Sequence, residues 1–326
     1  MNTALPPEPA VDPMGVGRST VSATRTGSNP PALKPRRAPI GPLQYVYLLP
    51  MLLLVGGFLL FPAANTAWLS FTDSNGLNTP KFIGLHNYTN LFTDPVFTSS
   101  FTNTMLWVVG VLVLQVALGL LIALLLSGAR GGNALKILFY LPATISGAAV
   151  AVVWYFMFDP AQGMINTTLR LFHLGGLAQD WLTAVPVNTW AMIVASTWQG
   201  LGPNMLLFLV GLENIPREPL EAAMLDGANP VRLFWHITLP LLRPMLTIVV
   251  GISLINSFKV FDLIWVMTQG GPYRSTETLA VTMYRESFVS FHLGYGAAVA
   301  IVLSVIVMVL SIFYLRTMFS RDRDVY

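Results

Sequence analysis

Side chains able to carry covalent chemistry are sparse in this chain and do not converge. His86, His173, His236 and His292 fall in separate segments, without a spacing such as H-E-x-x-H that would place two ligands on one metal. There is no cysteine, which removes disulfides, thiolate nucleophiles and sulfur-ligated metals. No G-x-x-x-x-G-K-[ST] phosphate loop occurs, so if ATP powers this protein another subunit hydrolyses it. The chemistry left to the chain is non-covalent: hydrogen bonding to a solute, and docking to a partner.

Two groups of residues suit those tasks. The first is a set of polar side chains inside apolar runs: Ser196, Gln199, Gly200 and Asn204 in one, Ser253, Asn256, Ser257 and Lys259 in another. Ser253 and Ser257 are four apart and share a helix face, as do Ser196, Gln199 and Gly200. Such residues can line a solute pathway, and they also bind membrane helices to one another, so both readings stay open. Lys259 lies sixteen residues beyond Arg243, about 24 Å along a helix, in the outer part of its run. Asp262 is within reach as its ion partner; otherwise the ammonium snorkels to the outer surface.

The second group is the polar stretch Glu213–Arg243, with too many charges to enter lipid on a free helix face. Its punctuation predicts two short helices. Pro219 suits a first helical position, Gly227 a left-handed cap, Asn229 an N-cap and Pro230 the position after it. Glu221, Ala222, Ala223, Asp226 and Gly227 offer one free acid, small side chains and a turn, a shape that seats in a partner's groove. An amphipathic helix resting on the bilayer through Leu220, Met224, Leu233 and Phe234 is the alternative.

The elements that must position these groups are membrane helices. Of 326 residues 54% are hydrophobic and 10% charged, far below the quarter usual for soluble domains. Six apolar runs are long enough to cross a hydrocarbon core of about 30 Å. They lie near 44–64, 104–127, 136–158, 189–211, 244–268 and 296–319. Only helices and closed barrels satisfy their backbone in lipid, and runs of this length predict helices.

Residues 1–42, rich in Pro, Ser, Thr and Gly, predict a disordered tail before a permease domain 43–326, with the first span retained as a signal anchor. Placing the N-terminus in the cytoplasm leaves Lys81, Arg170, Arg274 and Arg285 as the outer basic residues; all others except Lys259 fall inside. Both termini are then cytoplasmic. The dispersal of basic residues at span ends argues against nucleic-acid binding.

The run "EAAMLDGANPVRLFWHITLP", Glu221 to Pro240, resembles the EAA loop of ATP-binding-cassette importer permeases, with E-A-A, the Gly six positions on and I-x-L-P in register. Phe82, Gly84, Leu85, Asn87 and Tyr88, Leu141-Pro142, Gly270-Gly271-Pro272 and "STETLAVTMYRESF" resemble carbohydrate-type permeases of the MalF-like group over about residues 43–319. The chain departs from that group in having six spans and not eight, and no large folded domain in its outer loops.

The resemblance implies an all-α membrane protein, a six-transmembrane-helix importer permease bundle with a cytoplasmic coupling-helix loop. It further implies a bacterial or archaeal cytoplasmic membrane, a second related permease, two cytoplasmic ATPase subunits and an extracytoplasmic solute-binding protein. On this reading the solute is sugar-like, and ATP and Mg reside on the ATPases, leaving this chain without cofactor or metal. Positions aligned with Ser196, Gln199, Gly200, Ser253 and Ser257 line the sugar site in the MalF-like subunit, with different identities here. The rival is an ion-coupled secondary transporter, for which intramembrane Asp262 is the one carboxylate that offers support.

Overall fold

The computed structural model describes residues 42–128 and 132–321, so the expected tail, save Pro42, and Arg130 lie outside the described residues. The chain divides into two compact units, Met1–Leu53 and Leu54–Tyr326. The described part of the first is helical and belongs to α1 (Pro42–Val55), whose residues from Tyr47 onward are exposed. That suits side chains meant for lipid.

The second unit opens with a π turn, Gly56–Leu60, and α2 (Phe61–Leu69). There follow α3 (His86–Thr93), α4 (Pro95–Leu126), α5 (Gly132–Tyr140), α6 (Gly147–Met157), α7 (Met164–Leu171) and α8 (Val187–Glu213). Next come α9 (Arg217–Leu225), α10 (Pro230–Leu233), α11 (Leu239–Leu241) and α12 (Arg243–Phe258). The last are α13 (Asp262–Thr268), α14 (Leu279–Tyr284) and α15 (Leu293–Arg321). Strands do not form among the described residues; one isolated bridge joins Thr72 to Phe82.

Four uninterrupted helices are long and apolar enough to cross a membrane: Tyr47–Leu69, Pro95–Leu126, Val187–Glu213 and Leu293–Arg316. The other two expected spans are not single straight helices. The third bends by 101° between Gly132–Thr144 and Gly147–Met157. Here Pro142 cannot donate to the helix ladder, and Ile145 is extended at ψ 141°. The fifth ends its long helix at Phe258, turns through Lys259–Phe261 and resumes at Asp262. Its lower end, Pro230–Leu241, meets Arg243–Phe258 at 71°. An apolar run in the sequence reports length and not straightness, so it carries no sign of either interruption.

The core is built on α4 and α8. Small residues let them approach: a Cβ on Gly119 would lie 3.0 Å from that of Asn204. Trp107, Val150, Trp154, Met192, Ile193 and Ile264 pack together at one level, and Leu126, Met205, Phe208, Leu242 and Val249 at another. Between α2 and α4 the chain is ordered around α3. Asn87 donates to the Ser70 and Thr72 carbonyls at 2.9 and 2.8 Å, and Trp68 stacks on Phe82 at 5.8 Å.

Candidate solute cavity and coupling loop

A cavity of about 350 Å³ lies where the interruptions of the third and fifth spans face α4 and α8. All seven residues singled out for a pathway line it: Ser196, Gln199, Gly200, Ser253, Asn256, Ser257 and Lys259. Trp107, Gln115, Asn204, Phe261 and Asp262 complete its polar and aromatic wall.

Hydrogen bonding separates those residues into two kinds. Ser253 accepts the Asn204 amide at 3.0 Å, joining α12 to α8, and the Ser257 hydroxyl donates back to the Ser253 carbonyl at 2.9 Å. Gln199 donates to the Ile145 carbonyl at 2.9 Å, which satisfies backbone freed by the break in the third span. Gly200 makes room for Gln115: a Cβ there would fall 1.5 Å from the Gln115 amide nitrogen. These four hold the cavity wall. Ser196, Asn256, Lys259 and Asp262 carry side chains with no hydrogen-bond or ion-pair partner among the described residues. They are the groups available to a solute.

Lys259 and Asp262, which spacing put within reach of each other, are not an ion pair: no N–O distance within 4.0 Å joins them among the described residues. Lys259 is the C-cap residue of α12 through its backbone N–H, and Asp262 opens α13. A cation at the negative end of a helix dipole and an anion at the positive end are each favoured. Gln115 and Trp107 were missed. Gln115 had a signal, being an amide alone in an apolar stretch; Trp107 had none, since only packing turns an indole toward a cavity.

The loop from Arg217 to Leu241 follows its predicted punctuation closely. Gly227 stands at φ +79°, its N–H bonded to the Met224 carbonyl at 3.1 Å, while the Ala228 N–H reaches the Ala223 carbonyl at 3.0 Å. This pair of bonds is the Schellman closure of α9. The Asn229 side chain accepts from the Arg232 N–H at 2.8 Å with Pro230 next in the chain, so α10 starts as predicted. Two details differ. α9 begins at Arg217, which puts Pro219 third in the helix, still among the residues whose N–H has no intrahelical partner. Asp226 ends α9 with its backbone, and its carboxylate has no partner among the described residues, so it does not brace the turn. Glu221 is exposed and its carboxylate is also unpaired, Ala222 is exposed, Ala223 is half-buried, and Leu225 is 89% exposed at the end of the helix.

Residues 115–325 match the family of binding-protein-dependent transport system inner membrane components. The chain belongs to this family. It is 35% identical over 283 residues to a probable ABC transporter permease of Pyrococcus horikoshii, covering 86% of this chain and 97% of that one. It is 31% identical over 284 residues to a probable permease for starch degradation products of Thermoanaerobacterium thermosulfurigenes, covering 86% and 94%. Among solved structures, a bacterial alginate ABC transporter in complex with an alginate pentasaccharide-bound periplasmic protein has a chain that superposes with a TM-score of 0.73. That match has 23% identity over 83% of this chain and 92% of the other, a likeness that shows the fold. The protein is therefore a membrane-embedded permease component of a binding-protein-dependent ABC transporter, with the importer-permease fold expected from its EAA loop.

Proposed function

We propose that the chain translocates a sugar or related polyol delivered by an extracytoplasmic binding protein, together with a second permease of the same family. Two cytoplasmic ATPase subunits would carry the ATP and Mg and dock on the loop around Gly227, with both termini of this chain in the cytoplasm. The observation that carries the reading is the Schellman-closed α9, which leaves the unpaired Glu221 carboxylate and the exposed Leu225 on a short rigid helix. A free acid beside an apolar side chain suits a partner cleft bearing a basic residue. ATP-driven approach of the ATPases would move this helix as a lever and rock the attached α8 and α12 around the cavity.

A solute would be held by Ser196, Asn256, Lys259 and Asp262, with Ser253, Ser257, Gln199 and Gly200 keeping the wall in shape. The saccharide reading is supported by a similar permease whose name gives starch degradation products as its probable solute. The test is reconstitution with the ATPases, second permease and binding protein in liposomes. Uptake of labelled saccharide should require ATP and fall at least about tenfold with Glu221→Lys. Uptake that survives without any ATPase, or collapses under a proton ionophore at constant ATP, would instead establish an ion-coupled transporter.

A further inference from the structure

The loop between α13 and α14 is built to hold one side chain out. Gln269, Tyr273 and Arg274 stand at φ 50°, 51° and 64°. Non-glycine residues occupy that region where their surroundings over-determine it. The surroundings here are ionic. Glu277, with no exposed surface, accepts from Arg285 Nε at 2.5 Å and from Arg274 Nη2 at 2.9 Å. The same Arg274 nitrogen reaches Glu286 at 3.0 Å, and His292 Nδ1 lies 3.1 Å from the other oxygen of Glu286. Arg285 also donates to the Gln269 carbonyl and lies over the Trp265 ring, 5.4 Å from its centroid. From α4, Asn103 ties the Ser275 and Glu277 carbonyls at 2.7 and 3.0 Å. Burial alone would lower the Arg274 pKa, but the hydrogen bonds and charges of Glu277 and Glu286 outweigh it and hold the guanidinium above its ordinary value.

What this clamp presents is Tyr273, a fully exposed residue. Immediately before it in the chain, Gly271 and Pro272 line a second cavity of about 370 Å³, with Tyr155 and Phe158 as apolar wall and Asp159 and Asp180 as its charges. Asp159 Oδ1 accepts the N–H groups of Ala161 and Gln162 in its own turn. The Asp180 carboxylate has no partner among the described residues. The nearby cation, Arg170, directs its guanidinium at the Pro160 and Ala161 carbonyls and not at either acid.

We infer that Tyr273 and the adjoining Asp159–Asp180 cavity form a docking point for the solute-binding protein, which would supply an apolar recess for the ring and a lysine or arginine for the carboxylates. The inference rests on the proposed function, which puts this loop on the outer side. An aromatic ring on a braced loop loses little conformational freedom on docking, so its contact area converts well into affinity. The two acids favour a basic surface on the docking protein, by charge complementarity.

The experiment uses the complete transporter in nanodiscs, with the purified binding protein that supports its uptake titrated by surface binding. Tyr273→Ala should raise the Kd about thirtyfold, the loss typical of an aromatic hot spot, while Tyr273→Trp should keep it near wild type. Asp180→Lys should weaken the complex as well, by placing like charges together. A photo-crosslinking benzophenone at position 273 should yield an adduct of permease with binding protein. Unchanged Kd in both Tyr273→Ala and Asp180→Lys, or a crosslink to phospholipid alone, would overturn the docking point while leaving binding-protein-dependent uptake intact. Wild-type uptake that needs no binding protein would overturn the underlying reading and this one with it.

Discussion

Around Gly227 every bond that shapes the turn lies between Ala222 and Arg232, whereas the cavity draws its wall from residues as distant in sequence as Trp107 and Leu263. The turn is a local construction, made of backbone bonds and one asparagine side chain. The cavity is a tertiary one: Gln199 repairs a break in another span, Asn204 bonds Ser253 across helices, and Gly200 admits Gln115. A local construction tolerates almost no change of residue type at its special position and is indifferent to the rest of the protein. A tertiary one spreads its demands over many contacts, and the side chains left over are those free to meet a solute.

The comparison can be broken most sharply at its local end. Gly227→Val forces a β-branched side chain into the left-handed region, a conformation costing about 1–2 kcal/mol for an L residue, and re-aims α10. ATP-driven uptake and ATPase co-purification should fall at least about tenfold, with membrane insertion unchanged. Normal coupling would show that the turn is not the lever.

At the tertiary end, Gly200→Leu must evict the Gln115 amide and crowd α4 against α8. Overpacking of this kind costs about 1–3 kcal/mol, read as a lowered unfolding midpoint in detergent. A smaller effect tests the local rule by itself. Asn229→Ala removes the cap of α10 and should cost about 1 kcal/mol, seen as faster amide exchange confined to the loop. If exchange also rises around the cavity, the two regions are not independent. Smallest in stability is Asn256→Ala, which breaks no bond among the described residues. It should shift the unfolding free energy by less than about 0.5 kcal/mol and yet raise the KM for uptake. An unchanged KM would remove Asn256 from the solute contacts.

Charge gives a further contrast. Lys259 and Asp262, three positions apart, looked like a pair because spacing on an unbroken helix would bring them together. The chain breaks between them, so each sits at its own helix end and both face the cavity unpaired. The 71° bend between Pro230–Leu241 and Arg243–Phe258, with the 101° bend at Pro142, accounts for the difference between six apolar runs and four unbroken candidate spans. Hydropathy is summed over a window and does not register a local loss of backbone pairing when the neighbouring spans satisfy it. At Asp226, by contrast, the bonds that close the turn come from the backbone and not from the carboxylate.

Composition and apolar run length determined that this is an all-helical membrane protein, because lipid leaves a long apolar segment one way to pair its backbone. The identities of Gly227, Asn229 and Pro230 determined the turn between α9 and α10, because each acts on its own φ, its own cap or its own missing N–H. Only the tertiary structure decided which cavity residues are spent on holding helices and which remain free. That depends on where another helix places a donor or acceptor, and no spacing within a single run carries that information.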